Sequence, residues 1–164
     1  MWKRWLQHLT TTHFALRRCF PAQTLAAIEA AITASEREHR AEIRCAVETA
    51  LPVGLLFRGV TSAERALEVF GRLTVWDTAE NNGVLLYVLL AERNIEIVAD
   101  RGFAGLVSPE EWESICTVME AAFGTGQYSA GTLEALGRIS ALATRHFPPV
   151  GVDRNELPDR PLLL

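Results

Sequence analysis

The feature that most constrains this chain is the unbroken run Val84-Leu85-Leu86-Tyr87-Val88-Leu89-Leu90. Side chains of a β-strand alternate between two faces, so a strand that is apolar on both must be covered on both. The run is far shorter than the roughly 20 residues a helix needs to cross a bilayer. It therefore belongs at the centre of a sheet, with no transmembrane segment expected. Downstream, Ile95, Ile97 and Ala99 alternate with Glu96 and Val98, and the short polar link Glu92-Arg93-Asn94 joins the two runs as an antiparallel hairpin.

Upstream, Ile43, Cys45 and Val47 alternate with Arg44, Ala46 and Glu48, the pattern of a strand with one well-buried face. Pro52, Gly54 and Gly59 break the chain after it. Thr61 and Glu64 then form a T-x-x-E capping box that opens a helix to about Leu73, with Ala63, Ala66, Leu67 and Phe70 inward. Strand, helix and strand in this order make a right-handed crossover, so residues 43 to 48 should run parallel to the central strand.

The remaining helices are legible from their ends. Trp2, Trp5, Leu6 and Leu9 share one side of a short helix, and a second short helix spans Thr12 to Cys19. Pro21 suits the first turn of a helix to about Arg40 with Leu25, Ile28, Ala31 and Ile32 inward. Ser108-Pro109-Glu110-Glu111 starts another, carrying Trp112, Ile115, Cys116, Met119 and Phe123, and Gly124 and Gly126 end it. A last helix from about Ser129 to His146 turns Leu133, Leu136, Ile139 and Leu142 inward. Four of the seven prolines fall in the tail from Pro148 to Leu164, which reads as irregular and packed along the surface. The expected fold is a three-layer α/β/α sandwich around a small mixed sheet, a parallel crossover plus an antiparallel hairpin. Its organisation is an amphipathic helical segment (1–20), one α/β domain (21–147) and a proline-rich tail (148–164).

A length of 164 residues suits one domain. The net charge of −4 argues against a nucleic-acid surface, although no acidic residue precedes Glu29 while Lys3, Arg4, Arg17 and Arg18 do. Cys19, Cys45 and Cys116 lie far apart, so neither a disulfide framework nor a zinc knuckle is indicated. Polar residues from Gln7 to His13 interrupt any secretory apolar core. The expected location is the cytoplasm. The stripe of Trp2, Trp5, Leu6 and Leu9 is expected to cover the domain or to meet a second copy, a protein partner or an anionic membrane surface. The leucine-ended tail is a second candidate for docking.

Several segments together resemble the TPM domain family. They are Arg65-Ala66-Leu67-Glu68-Val69-Phe70, the loop through Trp76, Asn81-Asn82-Gly83-Val84-Leu85-Leu86-Tyr87-Val88, Ile95-Glu96-Ile97-Val98-Ala99-Asp100-Arg101-Gly102 and Gly126-Gln127-Tyr128-Ser129-Ala130-Gly131. The ordered set spans about residues 23 to 147. The resemblance implies the fold expected above and a link with acid-phosphatase activity and calcium binding.

Established catalytic templates are absent: there is no G-x-S-x-G elbow, P-loop, HExxH or Cys/His metal spacing. His8, His13, His39 and His146 are scattered and read as surface or cap residues. Cys45 and Cys116 read as small core residues, and Cys19 beside Arg17 and Arg18 as helix packing. Asn81-Asn82-Gly83 reads first as a tight turn in which Gly83 takes positive φ. These three residues with Arg101 are also the candidate binding set. Asp77 and Asp100, with Glu80 and Asn82, are the candidate oxygen ligands for Ca2+ or Mg2+. If the hairpin is antiparallel, Asp100 returns beside Asn82 and Gly83, and a parallel first strand brings Arg40 and Glu42 to the same end. Thr49 and Glu92-Arg93-Asn94 mark the competing pole, beyond the strand carboxyl ends. Two functions follow. One is a non-catalytic interaction or ligand-binding domain. The other is a divalent-metal-assisted phosphomonoester hydrolase, in which the metal polarises a phosphoryl oxygen and Arg101 offsets transition-state charge.

Overall fold

A computed structural model describes residues 2–150 and 155–164. The central strand is β2 (Val84–Leu89), and all six of its side chains are buried. It pairs in parallel with β1 (Ile43–Glu48), from Ile43 opposite Val84 to Glu48 opposite Leu89. On its other side it pairs antiparallel with β3 (Asn94–Ala99), Val84 facing Ala99 and Leu89 facing Asn94. A fourth strand, β4 (Leu162–Leu163), comes from the tail and lies parallel to β1, so the sheet order is β3-β2-β1-β4. The tail segment expected to be irregular is thus an edge of the sheet. Leu164 N donates to Val47 O at 2.9 Å, and Thr49 N donates to Leu164 O at 3.1 Å. With a layer packed on each side of the sheet, β1 is buried on both faces, Arg44 and Glu48 included, where alternation had suggested one.

Two layers cover the sheet. Ile43, Cys45, Val47, Val84, Leu86 and Val88 pack against α3 (Ala22–Ser35), α6 (Pro109–Gly124) and α7 (Tyr128–His146). Ala46, Leu85, Tyr87 and Leu89 pack against α5 (Ser62–Arg72), Leu56 of the short α4 (Val53–Phe57), and Leu157 of the tail. Helices α1 (Trp2–Thr10) and α2 (His13–Cys19) precede α3. The result is the three-layer α/β/α arrangement, and no helix among the described residues is long and apolar enough to cross a membrane.

The capping boxes at Thr61/Glu64 and Ser108/Glu111 are both formed, each satisfying two otherwise unpaired backbone donors. Two helix details differ from expectation. Helix α3 stops at Ser35 rather than near Arg40, because the chain must turn down to β1; the Glu36 carboxylate accepts Ile43 N at 3.2 Å across that turn. The inner face of α5 is Ser62, Arg65, Ala66 and Val69, while Ala63 and Leu67 point outward. The apolar period had pointed a quarter-turn away, since a buried arginine was not counted as core.

Placing a carboxylate at Leu86, which is fully buried, strands a charge between two helical layers. Leu86→Asp should lower unfolding free energy by several kcal/mol in urea titration. An unchanged midpoint would contradict the central position of β2.

Candidate functional site

At the amino-terminal end of β1 and β2, the loop from Thr74 to Gly83 meets the end of β3. Gly83 has to be glycine because a Cβ there would lie 1.9 Å from Val75 O. The positive φ expected for Gly83 is instead taken by Asn81 (φ 55), a residue type whose short polar side chain tolerates that conformation. Asn82 is buried; its backbone N donates to Thr78 Oγ1 at 3.0 Å and its side-chain Nδ2 donates to Arg40 O at 2.5 Å. Arg101 donates Nε and Nη2 to Asn81 Oδ1 at 2.9 and 2.5 Å. Gly102 N closes the same turn on Asn81 O at 2.8 Å, where any Cβ on Gly102 would collide with that carbonyl. The binding set read from the sequence, Asn81, Asn82, Gly83 and Arg101, is therefore brought together, and its polar atoms largely hold one another.

Asp100 follows β3, with its N bonded to Gly83 O at 2.9 Å and its Oδ1 accepting Arg101 N at 2.7 Å. Its Oδ2 is buried without a hydrogen-bond partner among the described residues. Asp77 is exposed in a turn closed by its own N on Thr74 O. Among the described residues no three or more His, Cys, Asp or Glu side chains are grouped to hold a metal ion.

The same end carries an acidic cleft for which the linear sequence offers little signal. Thr33, Glu36, Arg37, Glu42, Asn155 and Asp159 line about 190 Å3 between α3, the start of β1 and the tail. Glu42 accepts the backbone N of Glu156 and Leu157 at 3.1 and 3.0 Å, pinning the tail to β1. Asn155 Nδ2 bridges Asp159 Oδ1 at 2.6 Å and Glu36 Oε2 at 3.4 Å. Burial first, then the Glu42 and Asp159 charges, push the Glu36 carboxyl up to about 8, against the opposing bond from Ile43 N. Arg40, also at this end, pairs with Glu80 and donates Nε to Pro148 O at 2.9 Å.

The opposite pole is roofed by the amino-terminal segment. His8, expected at the surface, is 5% exposed. Its Nδ1 accepts Leu51 N at 3.0 Å, which leaves Nε2 to donate to Glu92 Oε1 at 2.7 Å. Arg4 Nε joins the same oxygen at 2.7 Å, and Trp5 meets Phe57 edge-on with centroids 4.6 Å apart. Burial would raise the Glu92 carboxyl, but the bonds from His8 and Arg4 outweigh it and the net shift is downward. Beneath lies a buried ionic group. Arg65 grips Glu48 through two bonds of 2.9 and 2.8 Å, and Tyr87 Oη donates to Glu48 Oε2 at 2.5 Å. The bonds to Glu48 hold the guanidinium charged, while burial and the same carboxylate raise the Tyr87 phenol. His39, also expected at the surface, is fully buried. Burial pushes the Cys45 and Cys116 thiols up to about 12, which fits their reading as packing residues rather than nucleophiles.

The outward side of the roof is different in kind. Trp2 (81%), Leu6 (53%), Leu9 (65%) and Phe14 (77%) are exposed, and Phe57 beside Trp5 is 76% exposed. The sequence had grouped Trp2, Trp5, Leu6 and Leu9 as one stripe, but Trp5 alone of these turns to the domain.

A raised carboxyl binds its proton more tightly in the fold than in the unfolded chain, so its contribution is complete below about 4.5 and declines as pH rises toward 8. Glu36→Gln should therefore flatten the fall in stability between these values, measured by melting temperature against pH. A variant that melts with the wild-type pH profile would contradict the assignment.

Comparison with known proteins places these observations in a group. A family profile described as the TPM domain matches residues 17–142. Among solved structures, the chain is similar to the NMR structure of BA42 protein from the psychrophilic bacterium Bizionia argentinensis, with a TM-score of 0.76 and 26% identity over 87% of this chain and 93% of that one. No curated protein matches it.

Proposed function

Since this chain belongs to the TPM domain family, we propose that it serves as a non-catalytic interaction domain whose contact surface is the outward face of α1 and α2. One observation carries this reading: Trp2, Leu6 and Leu9 stand exposed on α1, which Arg4, Trp5 and His8 fix to the domain, and Phe14 stands exposed on α2, which the buried Leu16 anchors. Large apolar side chains clustered on a rigid surface mark an interaction site. The polar end at Asn81 and Arg101 supports the same reading, because its groups are engaged in holding the 78–83 loop and the turn after β3.

The alternative, a metal-assisted phosphomonoester hydrolase at Asp77 and Asp100, makes an opposite forecast. On the interaction reading, with millimolar calcium or magnesium, the purified chain should hydrolyse p-nitrophenyl phosphate no faster than Asp77→Asn/Asp100→Asn. Metal-dependent turnover that this double variant loses would sink the interaction reading. In cell extracts, Leu6→Glu/Leu9→Glu should leave the large assemblies or particulate fraction that hold the wild type. Identical fractionation of the two proteins would count against α1 as the contact surface.

A further inference from the structure

Building on the interaction reading, we propose that the outward face of α1 and α2 docks on an anionic lipid surface. Three observations converge on that partner. The first is the apolar set: Trp2, Leu6 and Leu9 on one side of α1, and Phe14 on α2, with Phe57 of α4 beside Trp5. The second is the charge on the same helices. Lys3, Arg17 and Arg18 are exposed on the same two helices, and Arg58 is exposed next to Phe57.

The third is how unevenly charge is distributed along the chain. Residues 1–28 hold four basic side chains and no acidic one, while the rest of the chain holds twelve basic and twenty acidic. A second copy of this chain docking by the same two helices would bring its own Lys3, Arg17 and Arg18 to the interface, and these helices carry no acidic residue to offset them. A two-fold interface is self-complementary by construction, so this repulsion disfavours it. A lipid headgroup layer takes both features at once: apolar side chains enter the acyl boundary while cations stay at phosphate level. Trp2 suits the interface, where an apolar ring with a polar N–H is favoured.

The docked geometry also removes a cost. Nine- and seven-residue helices are marginal alone in water. Here Arg4 is tied to Glu92 and to Val60 O, and His8 to Leu51 N, so α1 is already ordered before contact. One apolar signal alone binds bilayers weakly, and a neighbouring basic patch supplies the second signal that firm binding needs.

The test is sedimentation of the full chain with vesicles of phosphatidylglycerol and phosphatidylcholine in equal parts, against phosphatidylcholine alone. Wild type should pellet with the anionic vesicles, little with the neutral ones, and less as salt rises. Each Lys or Arg near an anionic surface contributes about a fivefold factor in partitioning. Arg17→Glu/Arg18→Glu should accordingly lose roughly twenty-five-fold or more in affinity. Leu6→Glu/Leu9→Glu should abolish pelleting, with Trp2→Glu as an independent variant of the same face. All change exposed side chains and should melt as wild type does. Wild type that ignores anionic vesicles, binds neutral ones equally, or is unaffected by the arginine reversals overturns the proposal. Should vesicles fail while a dimer forms that Leu6→Glu/Leu9→Glu dissolves, the surface belongs to a second copy. Should they fail while the variant still leaves a large assembly in extracts, the partner is an acidic protein. In both of these cases the lipid proposal falls and the interaction reading stands.

Discussion

Burial of β2 on both faces is the constraint from which the architecture follows. Its six side chains cannot be shielded by one layer, so α3, α6 and α7 must lie on one face and α5 with α4 on the other. At roughly 25 cal/mol per Å2 of apolar surface removed from water, each fully buried leucine of this strand is worth on the order of 2 kcal/mol. Parallel pairing with β1 requires a crossover, and α5 supplies it. Antiparallel pairing with β3 needs only a short turn, in which Arg93 takes φ 53. Both ends of the sheet are thereby set: loops from different parts of the chain converge at one, and the amino-terminal helices close the other.

Charge enters this apolar frame only where it is matched. Glu48 on β1 faces the α5 layer and would be costly alone, yet Arg65 and Tyr87 occupy both of its oxygens. Glu42, just before β1 and six residues ahead of Glu48, is met by two backbone donors of the tail. These contacts hold residues 155–164 of the tail against β1 despite their prolines, since they supply donors that a buried carboxylate requires. The acidic cleft beside it keeps Glu36 protonated near neutrality, which is how three carboxyls share a small volume.

The amino-terminal segment divides its two faces between structure and contact. Arg4, Trp5 and His8 serve the fold, and Leu16 and Phe20 enter the main core. Trp2, Leu6, Leu9 and Phe14 of these helices stay exposed among the described residues. Rigid display of such a face is a different arrangement from a flexible tether, because the ordering has already occurred within the monomer. The polar end near Asn81 has the reverse character: Asn81 with Arg101, and Asn82 with Arg40 and Thr78, are drawn inward to stabilise a loop.

The sequence by itself determined the elements whose signals are local. The apolar run of β2, the hairpin into β3, and the capping boxes of α5 and α6 depend on neighbours within a few residues, and periodicity reports them directly. It also determined that Asn82, Gly83 and Asp100 share one end, since strand direction alone brings them together. Only the tertiary structure decided the rest. That Leu162 and Leu163 form β4 depends on Ala46 and Val47, more than a hundred residues away, and two leucines carry no strand period. Arg65 belongs inside because Glu48 awaits it, and His8 is buried because Leu51 N donates to one of its nitrogens and Glu92 accepts from the other. A polar residue's burial is fixed by partners distant in sequence, and no pattern along the chain encodes them.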